Sequence, residues 1–424
     1  MCYHFTVIFF MFKYVVIYCL LKITYNLAMN THKVRRSHIP DKPNISLSLW
    51  SIMKNCIGKD LSKIPVPVNF SEPLSMLQRI SEELEYVDLL NKAADCQDHH
   101  KQLAYVAAFT VSAYSTTSYR TGKPFNPLLG ETFELDRSED LGFKYISEQV
   151  SHHPPVLATY CEDSQGKWKL WQEFTMKSKF RGQSLDVEPM GIAHLVFSSS
   201  GNHYTWRKVK TIVHNIVLGK LWIDNVGKME LINHRTGDKC HLEFEPYSFF
   251  GEIEKKVHGC IINSKKKVEW ILNGTWNHKF VGTKVNSSNF CSPTAFWEAN
   301  SVNPASEKYY NFTKFACELN EIEDGIASTD SRLRPDQRLM EEGRWEEANT
   351  EKIRLEEKQR GVRKQRETKA NQTVINGMTY EEYQPTWFKK EIDEQNEGQL
   401  CFVYKGGYWE SKTNQDWSMC PNIY

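Results

Sequence analysis

Between about Glu131 and Phe280 the sequence alternates apolar and polar residues over short runs, the pattern of β-strands with one buried face. In one such run Cys240, Leu242 and Phe244 are the apolar positions. Turn sequences rich in Gly, Ser, Asn and Asp recur between the runs, at 164–166, 200–202 and 236–238. We therefore predict a long antiparallel meander, and a sheet of this length tends to curl or close.

Helical periodicity precedes this strand region. Pro73 opens a segment whose apolar residues share one face at a period of 3.6. Those residues are Leu74, Leu77, Ile80, Leu84, Val87 and Leu90. An alanine-rich apolar segment at 101–115 predicts a second helix.

The chain after the strand region changes character twice. Residues 282–308 are polar and predict a loop insertion. After Pro335 a highly charged segment predicts helix to about residue 369, with interruptions at Gly343 and Gly361. Pattern alone thus predicts an α+β fold that is mostly antiparallel β.

Composition excludes several classes of protein. The 424 residues are 40% hydrophobic and 12% aromatic, enough for a sizeable core, and a mean hydropathy of -0.54 excludes a polytopic membrane protein. A net charge of +1 provides no overall field toward nucleic acid, so any anion site must be local. The eleven cysteines include no Cys-x-x-Cys pair, which favours reduced thiols over a zinc cluster or a disulfide framework. We expect no cofactor and no metal.

The first 28 residues form an apolar segment with two competing explanations. Residues 5–21 are nearly long enough for a membrane anchor, and the basic residues after them would keep the following domain in the cytosol. Alternatively, the segment is a start-site artefact and translation begins at Met29. A cleaved signal peptide is disfavoured because no positive region precedes the apolar run and no small-residue cleavage site closes it. Residues 29–46 predict a flexible linker.

His152 and His153 form the most informative chemical feature of the chain. They follow Glu148 and run directly into Pro154 and Pro155. The prolines fix φ and remove backbone donors, so both rings lie on a stiff corner from which they could donate to one anionic group. Two alternatives exist for such a pair. A metal site is disfavoured because no third ligand has suitable local spacing, whereas satisfied core histidines are the common outcome.

The octapeptide from Glu148 to Pro155 matches the EQVSHHPP signature of the oxysterol-binding protein family letter for letter, and the chain resembles that family. Three further segments are similar to family motifs: 49–65, 123–132 and 333–336. The resemblance covers residues 47–424, nearly the whole chain. Longer family members carry a pleckstrin-homology domain upstream, for which we expect no room in this sequence.

The resemblance implies the architecture of residues 47–424. They would form a lipid-binding domain built as a large, incomplete β-barrel around a lipid tunnel, with an N-terminal helical lid and a C-terminal helical subdomain. By position, Leu61 and Ser62 are candidate lid residues, and Ser178 is a weaker candidate for contact with a lipid headgroup.

The resemblance also implies a phosphoinositide headgroup site. His152 and His153 would bind the 4-phosphate of phosphatidylinositol 4-phosphate. Lys123 would meet a phosphate and Asn126 would hydrogen-bond the headgroup, presented on a loop that Pro124 and Pro127 stiffen. Without the resemblance, Lys123 and Asn126 would be interpreted as a surface lysine and a turn asparagine.

Lys352, Glu356 and Arg360 have the spacing of the family's headgroup triad. Residues at i, i+4 and i+8 share one helical face, each rotated by about 40° from the last. The family would make the two cations headgroup donors and Glu356 the residue that orients them. The competing interpretation is two intrahelical ion pairs of about 0.2–0.5 kcal/mol each.

Three functions compete at this point. The resemblance implies a cytosolic, peripherally membrane-associated lipid-transfer protein of endoplasmic reticulum and Golgi contact sites. It would bind sterol or oxysterol, or phosphatidylinositol 4-phosphate, in one tunnel and exchange them between membrane surfaces. A non-transferring sensor or scaffold with the same headgroup site is the alternative. An enzyme using Glu148 with the histidines is disfavoured because the chain lacks the nucleophile and phosphate-loop motifs that such chemistry uses.

Overall fold

The computed structural model describes residues 34–43, 68–216, 219–247, 254–285, 292–375 and 383–424, with the side chains of 69 and 369–375 excepted. The chain divides into two compact units, Met1–Arg36 and Ser37–Tyr424. The second unit holds every helix and strand given below. The lid candidates Leu61 and Ser62 and the apolar run 5–21 lie outside the described residues. Among the residues that are described, no helix is both long and apolar enough to span a bilayer.

Eighteen strands are present in the described residues, most of them in the region that the alternation predicts. They are β1 Ser71–Ser75, β2 Lys123–Phe125, β3 Thr132–Arg137, β4 Phe143–His152, β5 Pro155–Asp163, β6 Trp168–Phe180, β7 Leu185–Met190, β8 Ala193–Phe197, β9 His203–Trp206, β10 Lys210–His214, β11 Trp222–Asn233, β12 Lys239–Phe244, β13 Lys256–Ile262, β14 Val268–Thr275, β15 Lys279–Lys284, β16 Thr294–Glu298, β17 Phe388–Asp393 and β18 Gln399–Tyr404.

Strands β3 to β16 form one 14-stranded antiparallel sheet, as the turn spacing predicts. The order runs β16-β15-β14-β13-β12-β11-β10-β7-β6-β5-β4-β3, and β8 and β9 bridge from β6 to β11. The two outer strands, β3 and β16, do not pair with each other in the described sheet, so the sheet curls without closing. The prediction of an incomplete barrel is confirmed at the level of this strand order.

The predicted loop at 282–308 is partly wrong. Residues Thr294–Glu298 form β16, which pairs with β15. Phe296 and Trp297 within it are buried, although the polar residues around them mask this short apolar strand in the sequence.

All but two of the described α-helices have seven residues or fewer. They are α1 Met76–Ser81, α2 Asp88–Ala94, α3 His99–Ser112, α4 Lys314–Glu318, α5 Pro335–Glu341, α6 Trp345–Ile375 and α7 Tyr408–Asn414. Helix α1 begins at Met76, not at Pro73, because Pro73 lies in β1 and Ser75 caps the helix in a reciprocal box with Gln78.

Helix α3 lies inside the curled sheet. Its side chains are buried on nearly every face, and it packs across β12 to β16. Such a helix has no polar stripe, which agrees with its alanine-rich and apolar sequence. The main hydrophobic core joins this helix, α1 and α2 to the inner face of the sheet.

The C-terminal part packs against the outside of β4 and β5. Trp387, Phe388 and Tyr408 bury Ile146 and Val150 of β4 in a separate core. Gly343, with φ of +78°, separates α5 from α6 as predicted. Gly361 does not interrupt α6, so that prediction is wrong: one glycine in a helix interior costs about 1 kcal/mol and is tolerated.

Candidate functional site

His152 and His153 lie at the tip of the hairpin that joins β4 to β5. His152 pairs with Pro155 across the hairpin, and the Ser151 hydroxyl donates to the Pro154 carbonyl at 2.7 Å, which closes the turn. The turn brings the two rings edge to face with centroids 4.7 Å apart. The stiff corner expected from the sequence therefore presents both imidazoles from the same place.

The protonation state of His152 follows from its partners. The Gln359 carboxamide nitrogen lies 2.6 Å from Nε2 of His152, while the Gln359 carboxamide oxygen accepts from the Leu129 backbone N–H at 2.9 Å. The amide orientation is therefore fixed, and Nε2 of His152 must accept. Burial, then the charges of His153 and neighbouring arginines, lowers the pKa of His152 to about 4, so the ring is neutral at pH 7.

Nδ1 of His152 consequently carries the proton. This nitrogen is buried and has no hydrogen-bond partner among the described residues. A buried donor without an acceptor is costly, by about 1–3 kcal/mol. The geometry thus leaves one N–H of the histidine corner available to an acceptor that enters the site.

Lys123 lies at the start of β2. Its side chain keeps access to solvent, yet protein atoms crowd around the ammonium. That crowding, and the positive charges of Lys352 and Arg334, lower the pKa of Lys123 to about 8, with Glu356 opposing them. Helix α6 and the β2 loop therefore contribute charges to one place.

The loop that follows Lys123 is held by Arg334. This buried guanidinium donates to the Asn126 backbone carbonyl at 2.8 Å and to Glu131 at 3.0 Å, and its remaining donors pair with Asp336 at 2.7 and 2.9 Å. Asn126 itself is exposed, so its carboxamide faces solvent on a loop whose backbone is fixed.

Lys352 and Glu356 lie on the face of α6 that is directed at this loop. The Lys352 ammonium donates to Glu356 at 2.6 Å, and the Lys352 side chain is only 14% exposed. Glu356 also acts on His152, whose pKa it raises slightly against the dominant effect of burial. The structure thus brings Lys352, Glu356, Lys123 and His152 together.

Arg360 lies on the exposed side of the helix. Its Nε donates to the Glu356 backbone carbonyl at 3.2 Å, and the side chain is exposed. Two steps of four positions rotate the side chain by about 80° from Lys352, which accounts for this placement. Arg363 and Gln359, which are nearer to the Lys352 face, bear directly on His152.

Ser178 lies on β6, opposite Val187 of β7. The register of β4, β5 and β6 puts Ser178 beyond the hairpin that carries His152, at the same end of the sheet. The structure therefore places Ser178 near the same rim, two strands away from the histidine corner.

Glu148 does not face the two histidines. Its buried carboxylate accepts the backbone N–H groups of Thr386 and Trp387, both at 2.8 Å. Burial raises the pKa of Glu148 to about 7, although these two bonds oppose the shift. Glu148 ties the C-terminal segment to β4, which removes it as the acid or base of the enzymatic alternative.

These residues bring hydrogen-bond donors and positive charge to one place. His152 supplies an unsatisfied N–H donor, Lys123 and Lys352 supply charge, and His153 stands at the rim. Charge-assisted bonds from such donors suit phosphate. Among the residues that the structure describes, no third histidine, cysteine or carboxylate completes a metal-ligand group with this histidine pair.

Comparison with known proteins shows the family of the chain. The family description Oxysterol-binding protein matches residues 48–413. The mouse protein Oxysterol-binding protein 2 is 52% identical over 415 residues, 93% of this chain and 45% of that protein. Human Oxysterol-binding protein-related protein 1 is 40% identical over 440 residues, 93% of this chain and 44% of that protein. The chain thus spans less than half the length of these two relatives.

Two solved structures are similar over nearly their whole length. The Osh1 ORD domain in complex with ergosterol has a TM-score of 0.83 and 39% identity, covering 93% of this chain and 95% of that one. The Osh3 ORD of Saccharomyces cerevisiae in complex with PI(4)P has a TM-score of 0.76 and 33% identity, covering 92% and 99%.

The fold is the mostly antiparallel β-sheet domain of these ergosterol-bound and PI(4)P-bound structures. This chain belongs to the oxysterol-binding protein family.

Proposed function

We propose that residues 47–424 bind sterol or phosphatidylinositol 4-phosphate, one at a time, in a single tunnel inside the curled sheet and exchange the two lipids between membranes. The similarity to ORD structures that hold ergosterol, cholesterol and PI(4)P supports both ligands. Mutual exclusion in one tunnel gives the exchange a direction, because a phosphoinositide gradient would then drive sterol the other way.

The observation that carries the proposal is the buried, partnerless Nδ1–H of His152. Glu356 acts on this ring, pairs with the ammonium of Lys352 and acts on the ammonium of Lys123. A headgroup phosphate would accept from this donor and from both ammonium groups. His153 would donate from the rim. Phosphate would also restore full charge to Lys123, whose pKa is low only while no anion is near.

The remaining predicted residues have supporting roles in this proposal. Asn126 would hydrogen-bond the inositol ring from its fixed loop. Glu356 would orient Lys352 and accept an inositol hydroxyl, and Arg360 would turn inward to the headgroup. Leu61 and Ser62 would belong to the lid, and Ser178 would contact the headgroup from the rim. We place the protein in the cytosol, peripherally bound at contacts between the endoplasmic reticulum and the Golgi.

A vesicle exchange assay tests the proposal. Donor vesicles carry phosphatidylinositol 4-phosphate and acceptor vesicles carry a fluorescent sterol, and the movement of each lipid is followed with and without the other. We expect each lipid to accelerate the counter-transport of the other. Extraction of both lipids without net exchange would indicate a sensor or scaffold instead, and failure to extract either lipid would overturn the proposal.

A further inference from the structure

A second pair of adjacent histidines precedes the strand region. His99 and His100 are the first two residues of α3, and Asp238 faces them from the turn between β11 and β12. Nε2 of His99 lies 3.3 Å from Oδ2 of Asp238, and Nε2 of His100 lies 3.6 Å from the same oxygen. Each of the three residues offers one ligand atom, and these three atoms lie within 4.8 Å of one another.

These separations match the distances between neighbouring ligand atoms around a bound metal ion. Zinc binds histidine nitrogen and carboxylate oxygen at about 2.0–2.2 Å, so neighbouring ligands of a tetrahedral site are about 3.3–3.5 Å apart. The two carboxylate-to-imidazole distances are close to these edges. Because the His99 side chain is 46% exposed, its ring has room to rotate and bring its nitrogen nearer to that of His100.

One histidine of the pair lacks a partner. Nε2 of His100 is buried and makes no hydrogen bond with any described residue, since 3.6 Å to Asp238 is too long for one. This buried imidazole nitrogen therefore lacks the hydrogen-bond partner or metal ion that a buried polar atom needs. An ion between the two atoms would satisfy both.

Asp238 is rigidly held. Its Oδ1 accepts the Ser264 backbone N–H at 3.0 Å, and its Oδ2 accepts the Thr236 hydroxyl at 2.7 Å. Gly237 before it has φ of +77°, a conformation that favours glycine and turns the chain so that Asp238 is directed at α3. Asp238 is 2% exposed, so its charge is shielded little by solvent.

Asp98 supplies outer support on the other side. It caps α3 through the backbone N–H groups of His100 and Lys101, and its Oδ1 lies 3.8 Å from Nδ1 of His100. At 3.8 Å the carboxylate and the ring interact electrostatically without a hydrogen bond. The positive end of the helix dipole opposes a cation here, and the buried charge of Asp238 offsets it, whereas Asp98 is already paired with Lys284 at 2.7 Å.

We propose that His99, His100 and Asp238 form a binding site for a divalent transition-metal ion of the zinc class, with water completing the coordination. Two imidazole nitrogens and one carboxylate favour such ions over magnesium or calcium, which prefer oxygen ligands. The bound ion ties the start of α3, the helix inside the sheet, to the turn between β11 and β12. The site is independent of the headgroup pocket.

Cobalt provides the test because a Co²⁺ ion bound by imidazole and carboxylate in a tetrahedral site absorbs visible light far more strongly than the hydrated ion. The full chain is first stripped of metal with a chelator and then titrated with CoCl₂. We expect saturable binding of one ion per chain. Zinc should displace the cobalt and bleach the spectrum, since the site binds zinc more tightly.

Matched variants decide whether the signal comes from this site. His99→Gln, at an exposed position that should not affect folding, should abolish the cobalt spectrum, and Asp238→Asn should weaken it at least ten-fold. His241→Gln is the matched control, since His241 is an equally exposed histidine whose Nδ1 lies 3.3 Å from a carboxylate oxygen of Glu230. It should leave the spectrum unchanged because His241 is not one of the proposed ligands. Cys96→Ser and the double variant His152→Ala, His153→Ala should also retain it.

Two results would overturn the proposal. One is a cobalt spectrum and affinity in His99→Gln equal to those of the unaltered chain. The other is the absence of saturable binding of cobalt and zinc by a chain that is folded by circular dichroism. Neither result depends on lipid extraction, so this site and the headgroup site are tested separately.

Discussion

The carboxamide of Gln359 donates to Nε2 of His152 at 2.6 Å across 207 positions of sequence. Because the other end of the same carboxamide accepts from the Leu129 N–H, Gln359 fixes which nitrogen of His152 is protonated. A residue of the charged C-terminal helix therefore sets the tautomer of the histidine corner.

Replacing His152 and His153 together by alanine should abolish extraction of phosphatidylinositol 4-phosphate and leave sterol extraction intact, since sterol has no phosphate. The measurement is extraction of each lipid from vesicles by the purified variant. Equal loss of both lipids in a variant that unfolds at the normal temperature would show that the pair does not act on the headgroup.

Lys352→Ala should weaken phosphoinositide extraction about ten-fold or more, because a charge-assisted hydrogen bond contributes about 1.5–3 kcal/mol. Arg360→Ala should weaken it comparably if the exposed guanidinium turns inward, and Glu356→Ala should cost less. Arg354→Ala is the matched control, since Arg354 is an exposed arginine of the same helix paired with Glu351. Normal extraction by Lys352→Ala would support the competing interpretation, in which these residues form intrahelical ion pairs and do not contact the headgroup.

Phosphoinositide binding should weaken as the pH rises above about 8. The pKa of Lys123 is about 8 in the free site, and a bound phosphate raises it, so the complex holds more protons than the free protein above that pH. Affinity therefore falls between about pH 8 and 10, measured by extraction across this range. Lys123→Arg should flatten the profile because arginine stays charged, and an unchanged slope in that variant would place the titrating group elsewhere.

Arg334→Ala should destabilise the protein by about 3–5 kcal/mol, because it leaves the buried carboxylates of Asp336 and Glu131 without their cation. Arg334→Lys should recover only part of this, since lysine cannot pair with Asp336 through two donors. Urea unfolding measures the effect, with Arg354→Ala as the exposed control. A loss in Arg334→Ala below about 1 kcal/mol would contradict the anchoring role of Arg334.

The sequence predicted those parts of the site that are contiguous or regularly spaced. The histidine corner lies within eight residues, and the alternation from Glu131 to Phe280 gave the sheet. Gln359 and Arg334 were missed because their partners lie about 200 positions away. The spacing could have pointed to Gln359, because it lies seven residues after Lys352 and therefore on the same face of the helix.

The helix boundary near Pro73 shows a different limit. Apolar residues at a helical period begin with Leu74, yet Leu74 is buried in β1, which pairs with β2. This segment is a strand because it pairs with β2, which begins 48 positions after β1 ends. Local periodicity contains no information about a partner so far along the chain. The capping box at Ser75 and Gln78 was the local signal that marked the true start.

The C-terminal cover on β4 affects how the protein is made. During synthesis the strands of the sheet leave the ribosome in the order in which most of them pair, so the nascent meander can form by local steps. Ile146 and Val150 then remain uncovered until Trp387 and Phe388 are made, more than 230 residues later. At about 5–20 residues per second this takes roughly 10–50 s. The growing chain exposes an apolar patch on β4 throughout that interval, so a chaperone that binds nascent chains should engage it there and leave only when Trp387 docks.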